Sequence, residues 1–202
     1  MTVPVNLAGE GMVDLAIMRR LLDHVGLTEG HVYCGEGRVF WKDQLTQRVP
    51  GYAQSARRGN RWFVLRDLDR DADCAAALIN GIDFEASAYF CFRIAVRAAE
   101  AWLLADRDHL APFLSVALAW ITPEPEAVDD PKGHIVAIAG RSRKPTIKNG
   151  FQPRPRSGRA TGPDYASQLS EFARTRWDVG LARQRCDSLD RTLRCLERFR
   201  VH

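Results

Sequence analysis

The stretch WFVLRDLDRD, residues 62–71, decides the fold class of this chain. Its first four residues form a continuous apolar run, which is typical of a central strand buried on both faces of a sheet. The run gives way to charged residues, among them Asp67 and Asp69. A strand of this kind predicts a sheet that is covered by helices on both sides.

Helical and extended patterns alternate on either side of this strand. Val3, Val5 and Leu7 alternate with other residues and predict a short first strand, and apolar residues three and four apart over 15–25 predict a helix that ends at Gly26. Further patterns predict strands at 31–34 and 88–96, and helices at 42–58 (interrupted near Pro50), 72–79 and 98–105. This order predicts an α/β fold with a largely parallel central sheet flanked by helices.

Residues 141–163 differ in composition from the rest of the chain. They contain four prolines, three glycines, seven basic residues and no acidic residue, which predicts a basic loop that is mobile or is ordered by a partner. From 164 onward a helical pattern resumes, with Leu189, Leu193, Leu196 and Phe199 on one stripe. We therefore predict a single domain with a core at 1–140, the basic loop at 141–163 and a C-terminal helical segment at 164–202 that packs on the core.

The composition is that of a soluble globular domain. The 202 residues are 46% hydrophobic and 27% charged, with 29 Lys and Arg against 25 Asp and Glu, which excludes collagen-like and long disordered chains. The five cysteines are odd in number and lack the spacing of zinc ligand pairs, so we expect reduced thiols. The longest apolar stretch is far shorter than the roughly 18 residues that span a bilayer. We therefore expect a cytoplasmic protein with no membrane partner.

Acidic residues follow two of the predicted strands. Glu10 lies between Gly9 and Gly11 after the first strand, and Asp67 and Asp69 follow the central one. Side chains two apart on a strand point the same way, and neighbouring parallel strands end at one edge of the sheet, so we expect these carboxylates to lie together. Carboxylate oxygens at a solvated edge suit Mg²⁺ or Mn²⁺. The alternative is an acidic turn that caps the next helix.

These motifs resemble those of a known family. Glu10-Gly11-x-x-Asp14 and the later Asp67-x-Asp69 resemble the Toprim domain of topoisomerases, primases and OLD-type nucleases. The stretch RIAVRAAEAWLLAD, residues 93–106, is similar to stand-alone bacterial Toprim-like proteins of about this length, and so are Pro131-Lys132 and Ser188-Leu189-x-Arg191. The resemblance covers most of the chain and implies that the core is a Toprim-like α/β fold.

The resemblance implies a Mg²⁺-dependent or Mn²⁺-dependent phosphoryl-transfer site, in a nuclease that cleaves phosphodiester bonds. Asp67 and Asp69 would hold the metal, and Glu10 would ligate it or transfer a proton, so these three are the catalytic candidates. Further candidate metal ligands are Asp14, Asp71, Glu100 and Asp106. The structural alternatives are helix capping by Asp14 and Asp71 and an ion pair between Arg97 and Glu100 on one helix.

The resemblance also implies partners and a biological setting. OLD-type systems work beside an ATPase in defence against phage or mobile elements, and this chain has no Gly-x-x-x-x-Gly-Lys-Ser/Thr phosphate loop, so the ATPase would be a separate chain. The stripe on the last helix could serve a homodimer as well as the core. The expected ligand is nucleic acid, DNA in particular, and its candidate binding residues are Arg141, Arg143, Lys144, Lys148, Arg154, Arg156 and Arg159.

Two further questions stay open on the sequence. OLD-type nucleases are expected to place a lysine near the scissile phosphate, and no motif selects among Lys132, Lys144 and Lys148. The function could also be that of a non-catalytic Toprim-like module that binds nucleic acid or an ATPase. A third possibility is a haloacid-dehalogenase-like phosphatase with Asp67 and Asp69 as nucleophile and acid.

Overall fold

The computed structural model of the protein describes residues 3–33 and 42–200. In this part of the chain one sheet is formed, by β1 (Val5–Ala8), β2 (Glu29–Val32), β3 (Arg61–Asp67) and β4 (Phe90–Ala95). Neighbouring strands run parallel, in the order β2-β1-β3-β4. The predicted α/β fold with a parallel sheet is confirmed. Residue 34, the last of the predicted second strand, lies outside the described residues.

Helices connect the strands and cover both faces of the sheet. They are α1 (Met12–Val25), α2 (Lys42–Arg57), α3 (Ala75–Asn80), α4 (Glu100–Ala105), α5 (Arg107–Leu114), α6 (Pro131–Ala139), α7 (Pro145–Phe151), α8 (Tyr165–Thr175), α9 (Val179–Arg183) and α10 (Asp187–Glu197). Gly26 ends α1 with a left-handed φ of 70°, as the sequence predicts. The helix α2 continues through Pro50, where an interruption was expected. None of the described helices combines the length and the apolar character that a bilayer span requires.

The strand β3 separates two apolar layers. All seven of its residues are buried, and their side chains alternate between the two faces. Phe63 and Leu65 pack in the layer that contains α1 and the C-terminal helices, whereas Trp62 and Val64 pack in the layer of α2 and α3. The same alternation puts the side chain of Asp67 on the Phe63 face of the sheet.

The segment 141–163 is more ordered than its composition predicts. It contains α7, and Phe151 at the end of this helix is fully buried in the core. Gly162 N donates to Phe151 O at 2.8 Å, and a Cβ at Gly162 would lie only 2.3 Å from Gly150 O. The expectation of a loop over the whole segment is therefore wrong, because one aromatic side chain and one tight backbone contact anchor it.

The C-terminal helices belong to the same core as the strands. The helix α8 packs on α1, and α10 packs on β4. The predicted stripe on α10 is buried, since Leu189, Leu193 and Leu196 are 0% exposed and Phe199 is 1% exposed. This stripe therefore serves the core and is not a free surface for a homodimer.

Candidate functional site

Glu10 and Asp67 meet at the carboxyl edge of the sheet. Glu10 follows β1 and Asp67 ends the neighbouring strand β3. The backbone N–H of Asp67 donates to Glu10 Oε1 at 3.2 Å. Two acids that are 57 residues apart in sequence are thus brought into direct contact by the pairing of two parallel strands.

Asp67 is held by groups from two further elements. Its carboxylate is 2% exposed. Oδ1 accepts a hydrogen bond from the backbone N of Ala99, just before α4, at 2.8 Å. Oδ2 accepts one from Nζ of Lys132, in the first turn of α6, at 2.9 Å. Asp130 caps α6 by accepting from Gly133 N at 2.9 Å, which fixes the start of the helix that carries Lys132.

Two more acids lie beside this pair. Asp14 Oδ2 accepts from the backbone N–H groups of Glu10 at 3.1 Å and Gly11 at 2.8 Å, so Asp14 orders the turn that carries Glu10. Glu100, the first residue of α4, is 3% exposed and its Oε1 accepts from the Tyr165 hydroxyl at 3.1 Å. Its Oε2 is buried without a hydrogen-bond partner. We call Glu10, Asp14, Asp67 and Glu100 the carboxylate cluster.

Burial and mutual repulsion perturb the acids of this cluster. Burial, and then the charge of Asp67, raise the pKa of Glu10 from 4.5 to about 7. Burial raises the pKa of Glu100 to about 7 despite the favourable charge of Lys132. The pKa of Asp14 is raised by burial and by the charges of Asp67 and Glu100. The cluster therefore carries more acid groups than its one lysine can neutralise.

Lys132 is the cation of the cluster. Burial disfavours its charged form, but the charges of Glu100 and Asp67 outweigh burial and raise the pKa of Lys132 above its ordinary value. The side chain thus stays an ammonium at any physiological pH. Of the three lysines considered, Lys132 contacts the carboxylate cluster, whereas Lys144 and Lys148 are exposed on the basic segment.

Asp69 and Asp71 lie in the turn that follows β3. The strand β3 ends at Asp67, and Asp69 has a left-handed φ of 48°. The strand alternation that predicted parallel side chains at Asp67 and Asp69 therefore does not extend to Asp69. Asp71 pairs with the buried Arg66 at 2.6 Å. A cleft of about 400 Å³ opens beside the cluster, and its lining includes Asp69, Arg70, Asp71, Asp129, Asp130 and Lys132.

The carboxylate of Asp106 accepts hydrogen bonds from backbone N–H groups of two chain segments. It caps α5 by accepting from His109 N at 3.3 Å, and its Oδ2 accepts from Asp178 N at 2.6 Å. The expected ion pair of Arg97 and Glu100 on one helix is wrong, because α4 begins at Glu100 and Arg97 precedes it with a φ of 59°. Arg97 instead donates to Asp69 O at 3.0 Å.

The residues present fit a hard divalent cation in chemistry and charge. The donors are carboxylate oxygens, Oε2 of Glu100 lacks a partner, and each oxygen of Asp67 keeps a lone pair beyond its one hydrogen bond. Across residues 3–33 and 42–200, however, no three His, Cys, Asp or Glu side chains are arranged as a metal site. Lys132 takes the position against Asp67 in this structure.

All seven basic residues of 141–163 are exposed. One of them contacts an aromatic ring that sequence analysis did not connect with this segment. The guanidinium of Arg141 lies 5.1 Å from the ring centroid of Trp120, and Trp120 is 39% exposed. The pair is a cation–π contact on the surface of the protein.

Tyr165 and Trp120 are the functional candidates that the sequence did not reveal. Tyr165 lies 65 residues from Glu100 in the chain, and nothing in its local pattern distinguishes it from a core tyrosine. A comparison of the chain with protein-family models, with curated proteins and with solved structures gives no match. The resemblance to the Toprim domain thus stays a prediction.

Proposed function

We propose that the protein is a Mg²⁺-dependent phosphoryl-transfer enzyme that cleaves phosphodiester bonds at the carboxylate cluster. The observation that carries this proposal is the junction of Glu10, Asp67 and Lys132 at the carboxyl edge of a parallel sheet, where α/β proteins bind their ligands. Burying several acids at one point costs stability, and such perturbed groups are typical of sites selected for chemistry.

Each side chain has a distinct role in this proposal. Asp67 and Glu10 would hold the cation, with Asp69, Asp71, Asp14 and Glu100 as further candidate ligands. A bound Mg²⁺ or Mn²⁺ supplies charge neutralisation at the phosphate and lowers the pKa of a bound water. Glu10, with a pKa of about 7, can take up or release a proton at neutral pH.

Lys132 and Tyr165 complete the site without titrating in the neutral range. The Lys132 ammonium lines the cleft beside the cluster, so it can contact a phosphate oxygen while it orients Asp67. The Tyr165 hydroxyl positions Glu100 by donating to its Oε1. Burial and the charge of Glu100 raise the pKa of Tyr165, which keeps this hydroxyl protonated as a donor.

The proposed substrate is nucleic acid, with DNA as the first candidate. Its support is the set of seven exposed basic residues in 141–163, which suits sequence-independent phosphate contacts. The Trp120–Arg141 pair adds a surface on which an unpaired base can stack. A separate ATPase chain and a role in phage or mobile-element defence follow from the resemblance alone and stay predictions, and so does the cytoplasmic location that the composition predicts.

The test is cleavage of supercoiled plasmid and of labelled single-stranded DNA and RNA, with Mg²⁺, Mn²⁺ or EDTA. Wild type should nick or cut in a metal-dependent manner, and Asp67→Asn should reduce cleavage to background. The matched control is Asp108→Asn. Asp108 does not belong to the carboxylate cluster, and its carboxylate pairs with Arg185 at a distance of 3.2 Å. Metal-dependent cleavage that survives in Asp67→Asn would refute the assignment of this site.

A non-catalytic binding module is the second candidate function. The observation that favours it is the Lys132–Asp67 ion pair, which satisfies the central carboxylate of the cluster without a metal. In that case wild type binds DNA through the basic segment, and neither Mg²⁺ nor Mn²⁺ changes its melting temperature or produces cleavage.

A further inference from the structure

Residues 152–163 form a surface loop whose two ends are joined. Gly162 N donates to Phe151 O at 2.8 Å, and Asp164 N donates to Gly150 O at 3.0 Å. Phe151 is fully buried, so these backbone hydrogen bonds attach both ends of the loop to the core. The loop is therefore a compact unit that can hold a binding site in a fixed shape.

The loop encloses a pocket that two arginines and two hydroxyl side chains line. Its volume is about 340 Å³, and its lining is Arg154, Ser157, Arg159, Thr161 and Pro163. Ser157 N donates to Arg154 O at 3.1 Å, and Ser157 Oγ accepts from Arg159 N at 3.3 Å. This turn brings the two arginines to the same pocket, and every lining residue is neutral or positively charged.

The two arginines of the pocket are not neutralised from within the protein. Across residues 3–33 and 42–200, no carboxylate pairs with Arg154 or Arg159. Arg194 on α10 is different, because it is equally at the surface but pairs with Asp190 at 2.7 Å. Guanidinium groups without an internal anion are available to an external one, and together with hydroxyl donors they match a phosphate group.

A larger groove adjoins the pocket and shares Arg154 and Pro163 with it. Its volume is about 600 Å³, and it runs between α7 and α8. Asn149, Asp164 and Gln168 contribute amide and carboxylate groups to its lining. Such groups hydrogen-bond the edges of nucleobases, so the groove has the size and the chemistry to take a nucleoside.

Gly150 allows two of these polar groups to pack against the end of α7. A Cβ at this position would lie 2.3 Å from Gln168 Nε2 and 3.0 Å from Asp164 Oδ2. Any side chain at Gly150 would therefore push both groups away. The absence of a side chain here fixes where the amide and the carboxylate lie along the groove.

The groove is attached to two helices that also carry residues of the candidate site. Gln152, in the lining of the groove, donates through Nε2 to Val136 O at 2.6 Å. Val136 lies on α6 one turn after Lys132, which is about 6 Å along the helix axis. The helix α8 begins beside the groove with Tyr165, whose hydroxyl donates to Glu100 Oε1. A strand that reaches the carboxylate cluster can therefore extend into the groove.

We propose that Arg154, Ser157, Arg159 and Thr161 bind one phosphate group of an unpaired nucleotide, and that the adjoining groove binds the nucleoside attached to it. The inference rests on the proposed function for the choice of nucleic acid, and it adds a defined subsite to the general attraction of the basic segment. A paired base turns its hydrogen-bonding edge toward the partner strand, so the groove selects unpaired nucleotides. The nucleotide belongs either to a single strand or to a free nucleoside monophosphate, which the experiment separates.

The experiment measures binding of a short fluorescein-labelled single-stranded DNA by anisotropy, with EDTA present so that metal-dependent cleavage cannot occur. Arg154→Gln and Arg159→Gln should each weaken binding about tenfold, and Thr161→Val, which changes no charge, about threefold. Arg156→Gln removes the same charge from the same loop outside both linings and should cost less than about threefold. Arg194→Gln is the control for net charge and should leave the affinity unchanged.

The salt dependence of binding tests whether the two arginines share one phosphate. For a single strand, each phosphate contact contributes about 0.7 to the slope of log K against log salt concentration. Substituting Arg154 and Arg159 together should therefore lower the slope by about 0.7. A decrease of about 1.4 would mean two separate phosphates and would overturn the shared pocket. Both arginines are exposed, so the substitutions do not disturb the core.

Competition identifies the source of the nucleotide. Displacement of the labelled strand by deoxynucleoside monophosphates, from wild type and not from Arg154→Gln, would assign the pocket to a free nucleotide. Displacement by unlabelled single strands alone would assign it to a polynucleotide. Equal losses of affinity in Arg154→Gln, Arg159→Gln and Arg156→Gln would overturn the proposal, even if the protein cleaves DNA. If wild type fails to cleave in any metal but the variants differ as expected, the proposed function is wrong and the subsite stands.

Discussion

Replacing Glu100 by glutamine should stabilise the metal-free protein at pH 8 and leave its stability nearly unchanged at pH 5. Glu100 is 3% exposed, and its Oε2 has no hydrogen-bond partner. Glutamine has the shape of the protonated acid and can still accept the hydrogen bond of Tyr165. The substitution therefore removes a buried negative charge and preserves the packing around it.

The magnitude follows from the pKa of Glu100, which rises from 4.5 to about 7 on folding. At about 1.4 kcal/mol for each pKa unit, ionising Glu100 at pH 8 costs the folded state roughly 3 kcal/mol. Between these two pKa values the folded chain binds more protons than the unfolded chain, so the stabilisation by protonated Glu100 is lost as pH rises through 7. Glu100→Gln cannot ionise and should not show this loss.

The assay is urea unfolding followed by tryptophan fluorescence, at several values between pH 5 and pH 8, with EDTA present. The quantity compared is the difference in free energy of unfolding between Glu100→Gln and wild type, which removes the contributions of other titrating groups. Glu85→Gln, at an exposed acid that pairs with Arg57, is the control and should change stability by less than about 1 kcal/mol at any pH. A difference at pH 8 no larger than at pH 5 would refute the reasoning.

Four further outcomes are expected. In differential scanning calorimetry, Mg²⁺ should raise the melting temperature more at pH 8 than at pH 5. At one hundred times its Kd the bound ion should stabilise the folded state by about 2.7 kcal/mol. Asp67→Asn should abolish this stabilisation, and an equal stabilisation in the variant contradicts a site at Asp67. Lys132→Met should tighten Mg²⁺ binding in titration calorimetry, because an ammonium that repels the cation is removed, and yet it should abolish cleavage; weaker Mg²⁺ binding would argue against their proximity. Trp120→Ala should weaken the affinity for single-stranded DNA about tenfold in fluorescence anisotropy and leave duplex affinity nearly unchanged, whereas equal losses on both ligands would exclude base stacking. Phe151→Ala should lower the free energy of unfolding by about 3–5 kcal/mol in urea titration, since it empties a fully buried position, and a loss under about 1 kcal/mol would mean that 141–163 does not depend on this anchor.

The candidate site was predictable to the extent that it depends on strands. Glu10 and Asp67 each follow an apolar run, and parallel strands end at one edge, so their meeting follows from local patterns together with sheet geometry. The argument from strand alternation does not apply to Asp69, because the strand ends two residues earlier and Asp69 has a left-handed φ. No residue pattern over a few positions reports such a change of backbone direction.

The sequence by itself determined the α/β class, the buried central strand, the end of α1 at Gly26 and the apolar stripe of α10, because each depends on periodicity over neighbouring residues. Only the tertiary structure decided that Lys132 pairs with Asp67 and that Tyr165 holds Glu100. These two contacts each join residues 65 positions apart, and they arise from the way α6 and α8 pack around the sheet edge. Local propensity fixes where a helix begins, whereas close packing of the whole core decides which distant side chains its first turn reaches.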